Sequence, residues 1–264
     1  QAPARAELGA REDLSPGARG ALTRLETAVG GKVKVLVRRD ASRRGGQRVG
    51  RVAMARGFQV PMPGKDAAER ATTFITRFGE LLGLDDPARQ IQVRRVFKWA
   101  AGEVVRFRVS HDGRQVFGHE IAVRVRGRSV TAVTGGLPPV DRWEDPRTLA
   151  TRAEVESFVL EATGRRPSRV FGVGYLLDRG EGVLVWRADQ YTLRGERPQR
   201  FLLAVEDRTG IVRMVGQGFV EAMGKAYDPS PENGPPVEVE LTDLLSDVGL
   251  EGTYANAWQC VGDM

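Results

Sequence analysis

Hydrophobic and polar residues follow two rhythms along this chain, and the rhythms come in blocks. Over residues 16–29, Leu22, Leu25 and Val29 recur at helical spacing behind a Ser15 cap and Pro16 in the first turn, and Gly30-Gly31 stops the run. Val33, Val35 and Val37 then alternate with Lys32, Lys34 and Arg38 as a strand, with a partner from Val49 to Phe58 across a turn at Arg43–Gly46. A stronger helix follows. Asp66 caps it, Glu69 completes a capping box, and Ala67, Ala71, Phe74, Ile75, Phe78, Leu81 and Leu82 keep one apolar stripe up to Gly83. After Pro87 the period shortens to two. Ile91–Trp99 reads as a strand, and a meander runs from Glu103 to Pro139. In it Val105, Phe107 and Val109 face one way and Arg106 and Arg108 the other, Asp112-Gly113 supplies a tight turn, and Ile121, Val123 and Val125 alternate before Gly127.

The order of elements then repeats without repeating its residues. Thr151 with Glu154 forms another capping box, Val155, Phe158, Val159 and Ala162 form a stripe, and Gly164 and Pro167 end the helix. Strands are expected at Arg169–Leu177, Val183–Tyr191, Arg200–Glu206 and Ile211–Val220, with Trp186 as a core anchor. The expected fold class is α+β, in two similar units, each a helix packed on an antiparallel sheet of about four strands. An N-terminal extension at 1–64 precedes units at 65–139 and 146–222, and a Pro-rich connector occupies 227–264.

Charge changes this picture only at the end of the chain. The net charge is +6, but residues 227–264 hold eight carboxylates and no Lys or Arg, which leaves 40 basic against 26 acidic residues on the rest. A basic body with an acidic tail suits an acidic partner. The arginines alternate with apolar residues along strands and no aromatic ladder accompanies them, so they read as solvated strand faces and nucleic acid is not expected. No run approaches the roughly 18 apolar residues of a membrane span. The single cysteine, Cys260, excludes an internal disulfide and points to a partner beyond the chain or a free thiol.

Candidate chemistry is sparse. The only histidines are His111 and His119. His119-Glu120 begins a zincin signature, but Ile121-Ala122-Val123 follows in place of the second histidine, and a strand cannot put residues i and i+4 on one metal. No nucleophile elbow is present, and Gly172-x-Gly174 lacks the third glycine and following helix of a dinucleotide loop. The chain is expected to hold no metal, to use no cofactor and to carry no catalytic residue.

His111-Asp112-Gly113-Arg114-Gln115-Val116-Phe117-Gly118, behind Phe107, resembles the FTP domain of fungalysin/thermolysin propeptides. Leu184-Val185-Trp186-Arg187 and Val205-Glu206-Asp207-Arg208-Thr209-Gly210-Ile211-Val212 resemble the cystatin-like PepSY domain, with Glu206 in place of its usual aspartate. Tyr227-Asp228-Pro229-Ser230-Pro231 resembles the connector that follows such propeptides. The resemblance implies a secreted chain whose signal peptide is removed before Gln1. It implies an inhibitory and folding-assisting propeptide whose partner is a cognate zinc metallopeptidase catalytic domain. Phe107, His111, Gly113, Val116, Phe117, Gly118, Trp186, Thr209 and Gly210 would then be structural or partner-facing, while Tyr227, Asp228, Pro229, Pro231 and Cys260 would lie in a connector that enters the cleft or is processed. The alternative is a free-standing secreted FTP/PepSY binding or inhibitor module. In the propeptide reading the interface is expected on the arginine-bearing face and loops of the meander.

Overall fold

A computed structural model describes residues 7–44, 47–99, 101–178, 180–194, 197–219, 223–226 and 237–240. In chain order the elements are β1 (Glu7–Gly9), α1 (Pro16–Val29), β2 (Lys34–Arg44), β3 (Gln47–Pro61), α2 (Ala67–Phe78), α3 (Pro87–Gln90), β4 (Ile91–Trp99), β5 (Gly102–His111), β6 (Arg114–Arg126), β7 (Ser129–Gly135) and β8 (Arg142–Trp143). They continue with α4 (Arg152–Thr163), β9 (Arg169–Asp178), β10 (Glu181–Arg194), β11 (Arg197–Glu206), β12 (Val212–Phe219), β13 (Met223–Ala226) and β14 (Val237–Glu240). The chain forms two compact units, residues 1–147 with 173–184, and residues 148–172 with 185–264.

The α+β class holds, but the expectation of about four antiparallel strands per unit is corrected for the first one. There β1-β2-β3-β7-β6 pair in that order, β5 joins β6, β4 joins β5, and β6 and β8 each run parallel to a strand at the turn end of β9–β10, so the sheet is larger than expected and mixed. In the second unit β10, β11 and β12 pair in that order, antiparallel. Alternation identifies a strand but is blind to which strand lies beside it, so strand order of this kind has no local signal.

In the first unit, α1 and α2 cover one face of the sheet. Leu22 and Leu25 from α1, and Phe74, Ile75 and Phe78 from α2, are buried against Val105, Phe107, Ile121, Val123 and Val133. Ser15 accepts a hydrogen bond from the Ala18 amide and Gly30 closes α1 in the left-handed region, as the cap residues require. Two details of α2 differ from the sequence reading. Its α-turns end at Phe78, and a 3₁₀ turn at Gly79–Leu82 carries the rest of the stripe. Asp66 caps it through the Glu69 amide, but Glu69 returns its bond to the Lys65 amide, one residue before the cap. Pro87 opens the short α3 that the sequence reading left out.

The meander is antiparallel, β5 to β6 to β7, with β3 pairing β7 and β4 pairing β5. Asp112 and Gly113 both take positive φ, at 46° and 74°, the geometry a two-residue hairpin turn needs. Beyond the turn, β6 leaves the β5 ladder between Gln115 and Glu120, and Val116 pairs instead with Tyr175 of β9. Gly118, at φ 75°, sits within this excursion, where a side chain would be strained.

Among the described residues, the second unit packs α4 against β9–β12. Thr151 and Glu154 form the expected capping box, and Gly164 ends the helix in the left-handed region. The Thr151 amide and then its hydroxyl hold the Glu154 carboxyl below its ordinary range. Val155 and Val159 are buried and Phe158 partly so, whereas Ala162, read from spacing as part of the stripe, is exposed. A single helix on a sheet has room for only a narrow seam, and the last turn of α4 lies beyond it.

Candidate functional site

The face of the first unit's sheet opposite α1 and α2 is built by the polar phase of each strand. Because side chains alternate, burying Val105, Phe107, Val123 and Val133 obliges Arg106, Arg108, Arg124 and Ala132 to face outward. Cross-strand register sets out a row from Arg95 through Arg106, Ala122 and Thr134 to Met54. A neighbouring row runs from Phe97 through Val104, Arg124, Ala132 and Arg56 to Lys34. Lys34, Arg56, Arg95, Arg108 and Arg124 are exposed. Among the described side chains of β3 to β7 Glu120 is the carboxylate on this face, and it is engaged by Arg94 and, at 3.8 Å, by Arg106. Two guanidinium groups lie over the Phe97 ring, Arg95 at 4.6 Å and Arg106 at 5.2 Å from its centre.

A depression of about 670 Å³ opens on this unit where β3 and β7 lose register. The ladder pairs Arg56 with Ala132 and resumes only at Val60 and Val130, so Gly57–Gln59 and Thr131 bulge. Lys32, Arg56, Arg124, Gln59 and Thr131 line the depression, and among the described residues its lining includes no carboxylate. Lys32 also makes a 3.6 Å ion pair with Glu26. The arrangement offers cations and hydrogen-bond donors to an anionic surface.

The residues of the FTP-like motif serve the scaffold beneath this face. Phe107 and Val116 are fully buried. The His111 ring stacks on Trp143 at 3.9 Å between centres, with Tyr175 edge-on to both at 5.6 and 5.0 Å. Tyr175 donates its hydroxyl to the Glu144 carbonyl at 2.8 Å, and burial pushes its phenol pKa up, with the Asp112 carboxylate adding to the rise. The Glu144 carboxylate in turn accepts from the Leu184 amide at 2.8 Å. His111 thus pins residues 143–144 to the end of the meander. His119 is elsewhere, with Nδ1 3.3 Å from the Gly136 carbonyl oxygen. Among the described residues no three His, Cys, Asp or Glu side chains are grouped to hold a metal ion.

In the second unit the PepSY-like residues surround one buried carboxylate. Asp207 accepts from the Leu149 amide at 2.7 Å, the Ala150 amide at 3.1 Å and the Trp186 indole at 2.9 Å. Trp186, partly buried on the small core, is therefore an anchor with a polar tether. The Thr209 hydroxyl donates to Glu206 at 2.6 Å, Arg213 pairs with the same carboxylate, and Gly210 lies under the Phe158 ring. On the opposite side of this sheet Phe171 repeats the first unit's device, with Arg169 at 4.6 Å and Arg187 at 5.1 Å from its ring centre. Asp189, buried there, pairs with Arg200.

Tyr227, Asp228, Pro229, Pro231 and Cys260 lie outside the described residues. Sequence reading missed Trp143, Tyr175 and Asp207. Asp207 lies in the PepSY-like stretch just after the strand that ends at Glu206, but a carboxylate at a turn is by default solvated, so nothing local marked it as the acceptor of three donors. Among the described residues no helix is long and apolar enough to cross a membrane.

No family model matches the chain, and no curated protein matches it. Among solved structures the chain is similar to the C-terminal domain of YpeB from Bacillus megaterium, with a TM-score of 0.34 and 10% sequence identity, over 78% of this chain and 97% of that one.

Proposed function

We propose that this chain is a secreted protein-binding module of the FTP/PepSY kind. It acts by docking an acidic protein surface on the arginine-bearing face of its first unit, and it inhibits a thermolysin-like zinc peptidase by covering it. The observation that carries the reading is the composition of that face: exposed cations spread over β2 to β6, with Glu120, among the described side chains, as the opposing carboxylate and already paired. A solvated strand face ordinarily mixes both signs, so a one-sided face favours an oppositely charged partner and speeds its encounter. The motif around His111 supports the same reading by resemblance, its residues holding the meander's turn rather than meeting substrate. The finer form, a propeptide that keeps a peptidase latent and helps it fold, would use the same surface. The binding reading needs no catalytic domain in the same chain.

The test is inhibition in trans. A thermolysin-type zinc endopeptidase is assayed on a peptide substrate with rising amounts of the full chain, at low and at physiological salt. Hydrolysis is expected to slow at micromolar chain, less so at higher salt, because exposed charges are screened over about 8–10 Å. Reversing Arg56→Glu together with Arg124→Glu should weaken inhibition at least about tenfold, a coupling of roughly 1.4 kcal/mol. An unchanged rate at every salt concentration, or inhibition indifferent to both reversals, overturns the reading.

A further inference from the structure

We infer that the free edge of β4 is a second, pattern-selective contact, which takes an extended segment of an acidic partner as an added strand. The inference rests on the binding reading above and names the kind of segment the first unit recognises. Among the described residues β4 pairs with β5 alone, so its other edge offers main-chain N–H and C=O groups to a further strand. Its two sides differ in chemistry. Val93 and Val96 stand opposite Phe107 and Val105, which are fully buried, yet they keep 41% and 38% exposure. The helices therefore cover the neighbouring strand completely and leave the last one half covered. On the other side stand Arg95, Phe97 and Arg106.

A strand laid along this edge would place alternate residues on those two sides. Apolar residues would complete the cover over Val93 and Val96, and acidic residues would meet Arg95 and Arg106. Charge selects against the commonest competitor, a second copy of the same strand. Two β4 edges side by side would bring Arg94, Arg95 and Lys98 of both copies together with no carboxylate in either strand. The irregularity at Arg94 shortens the usable edge without abolishing it, because pairing is regular again from Arg95 opposite Arg106 to Trp99 opposite Gly102.

The probes are two labelled octapeptides of identical composition, one alternating glutamate with valine and the other with its glutamates and valines in separate blocks. Each is titrated into the full chain by fluorescence anisotropy, and backbone amide exchange is followed with and without peptide. The alternating peptide should bind at least tenfold more tightly, slow exchange in residues 91–99, and lose at least tenfold in affinity to Val93→Asp or Val96→Asp. Both positions are already partly solvated, and the comparison of peptides on the unaltered chain needs no variant at all. Equal binding of the two peptides, exchange slowed only outside β4, or affinity untouched by both substitutions overturns the inference. So does protection of β4 by self-association without peptide. Loss of peptidase inhibition with edge binding intact counts against the peptidase reading alone, while loss of edge binding with inhibition intact counts against this one alone.

Discussion

The two units solve the same packing problem with different means. In the first, two helices and a 3₁₀ turn bury aromatic and aliphatic side chains on the sheet, and Phe74 stacks on Phe58 at 5.9 Å and packs against Phe78 at 5.1 Å. In the second, α4 contributes Val155 and Val159 as its fully buried residues to a core completed by Val170, Ala188, Leu203 and Val205. What the second unit lacks in apolar surface it makes up with placed polar contacts. Asp207 ties the chain ahead of α4 to Trp186, and Asp189 pairs with Arg200 beneath the other face. Apolar burial is non-directional and grows with area, so a small seam holds a helix against the sheet without fixing its entry point. A buried carboxylate with three donors is directional, and it fixes that point. Both units nevertheless turn an arginine-flanked phenylalanine outward, Phe97 in one and Phe171 in the other.

The sharpest way to break this contrast is to attack each unit at its own anchor. Phe74→Ala removes a fully buried ring from the first core and should cost about 3–5 kcal/mol, read as a lowered denaturant midpoint. A midpoint close to the unaltered chain's would mean that the first unit does not depend on its aromatic cluster. Asp207→Ala comes next, at about 2–3 kcal/mol, because the Leu149 and Ala150 amides and the Trp186 indole lose their acceptor. Trp186 fluorescence and amide exchange in residues 148–163 report it locally. If Val159→Ala proves more damaging than Asp207→Ala, the second unit is held by its apolar seam after all.

The smallest effect tests whether the first unit also relies on a placed carboxylate. Burial pushes Glu26 up, but the Val33 amide, the Arg11 guanidinium and the Lys32 ammonium together hold its carboxyl below the ordinary value of 4.5. A depressed folded pKa contributes stability that is fully present above the unfolded value and lost as pH falls through the folded one. Stability should therefore stay level toward pH 4.5 as far as this group is concerned and decline below it, and Glu26→Gln should remove that part of the decline. Parallel acid limbs for the two proteins would show that Glu26 plays no such part.

Much of this was legible residue by residue. Ser15-Pro16 and Gly30-Gly31 bounded α1, Thr151 and Glu154 opened α4, Ile91–Trp99 was a strand to the residue, and Asp112-Gly113 turned the meander. Each of these depends on contacts within a few residues, such as a cap, a left-handed glycine or a period of two. The arginine-bearing face was legible too, since once Val105 and Phe107 turn inward Arg106 and Arg108 have nowhere else to point. Only the tertiary structure decided what depends on neighbours distant in the chain. It set the order of the strands in each unit, placed Val116 beside Tyr175, stacked His111 on Trp143 and gave Asp207 its three donors. Among the described residues it also left β4 at an edge with Val93 and Val96 half covered. An alternating segment specifies the two faces of a strand. Its two edges carry the same backbone groups whatever the sequence, so which edge stays free is settled only when the strands assemble.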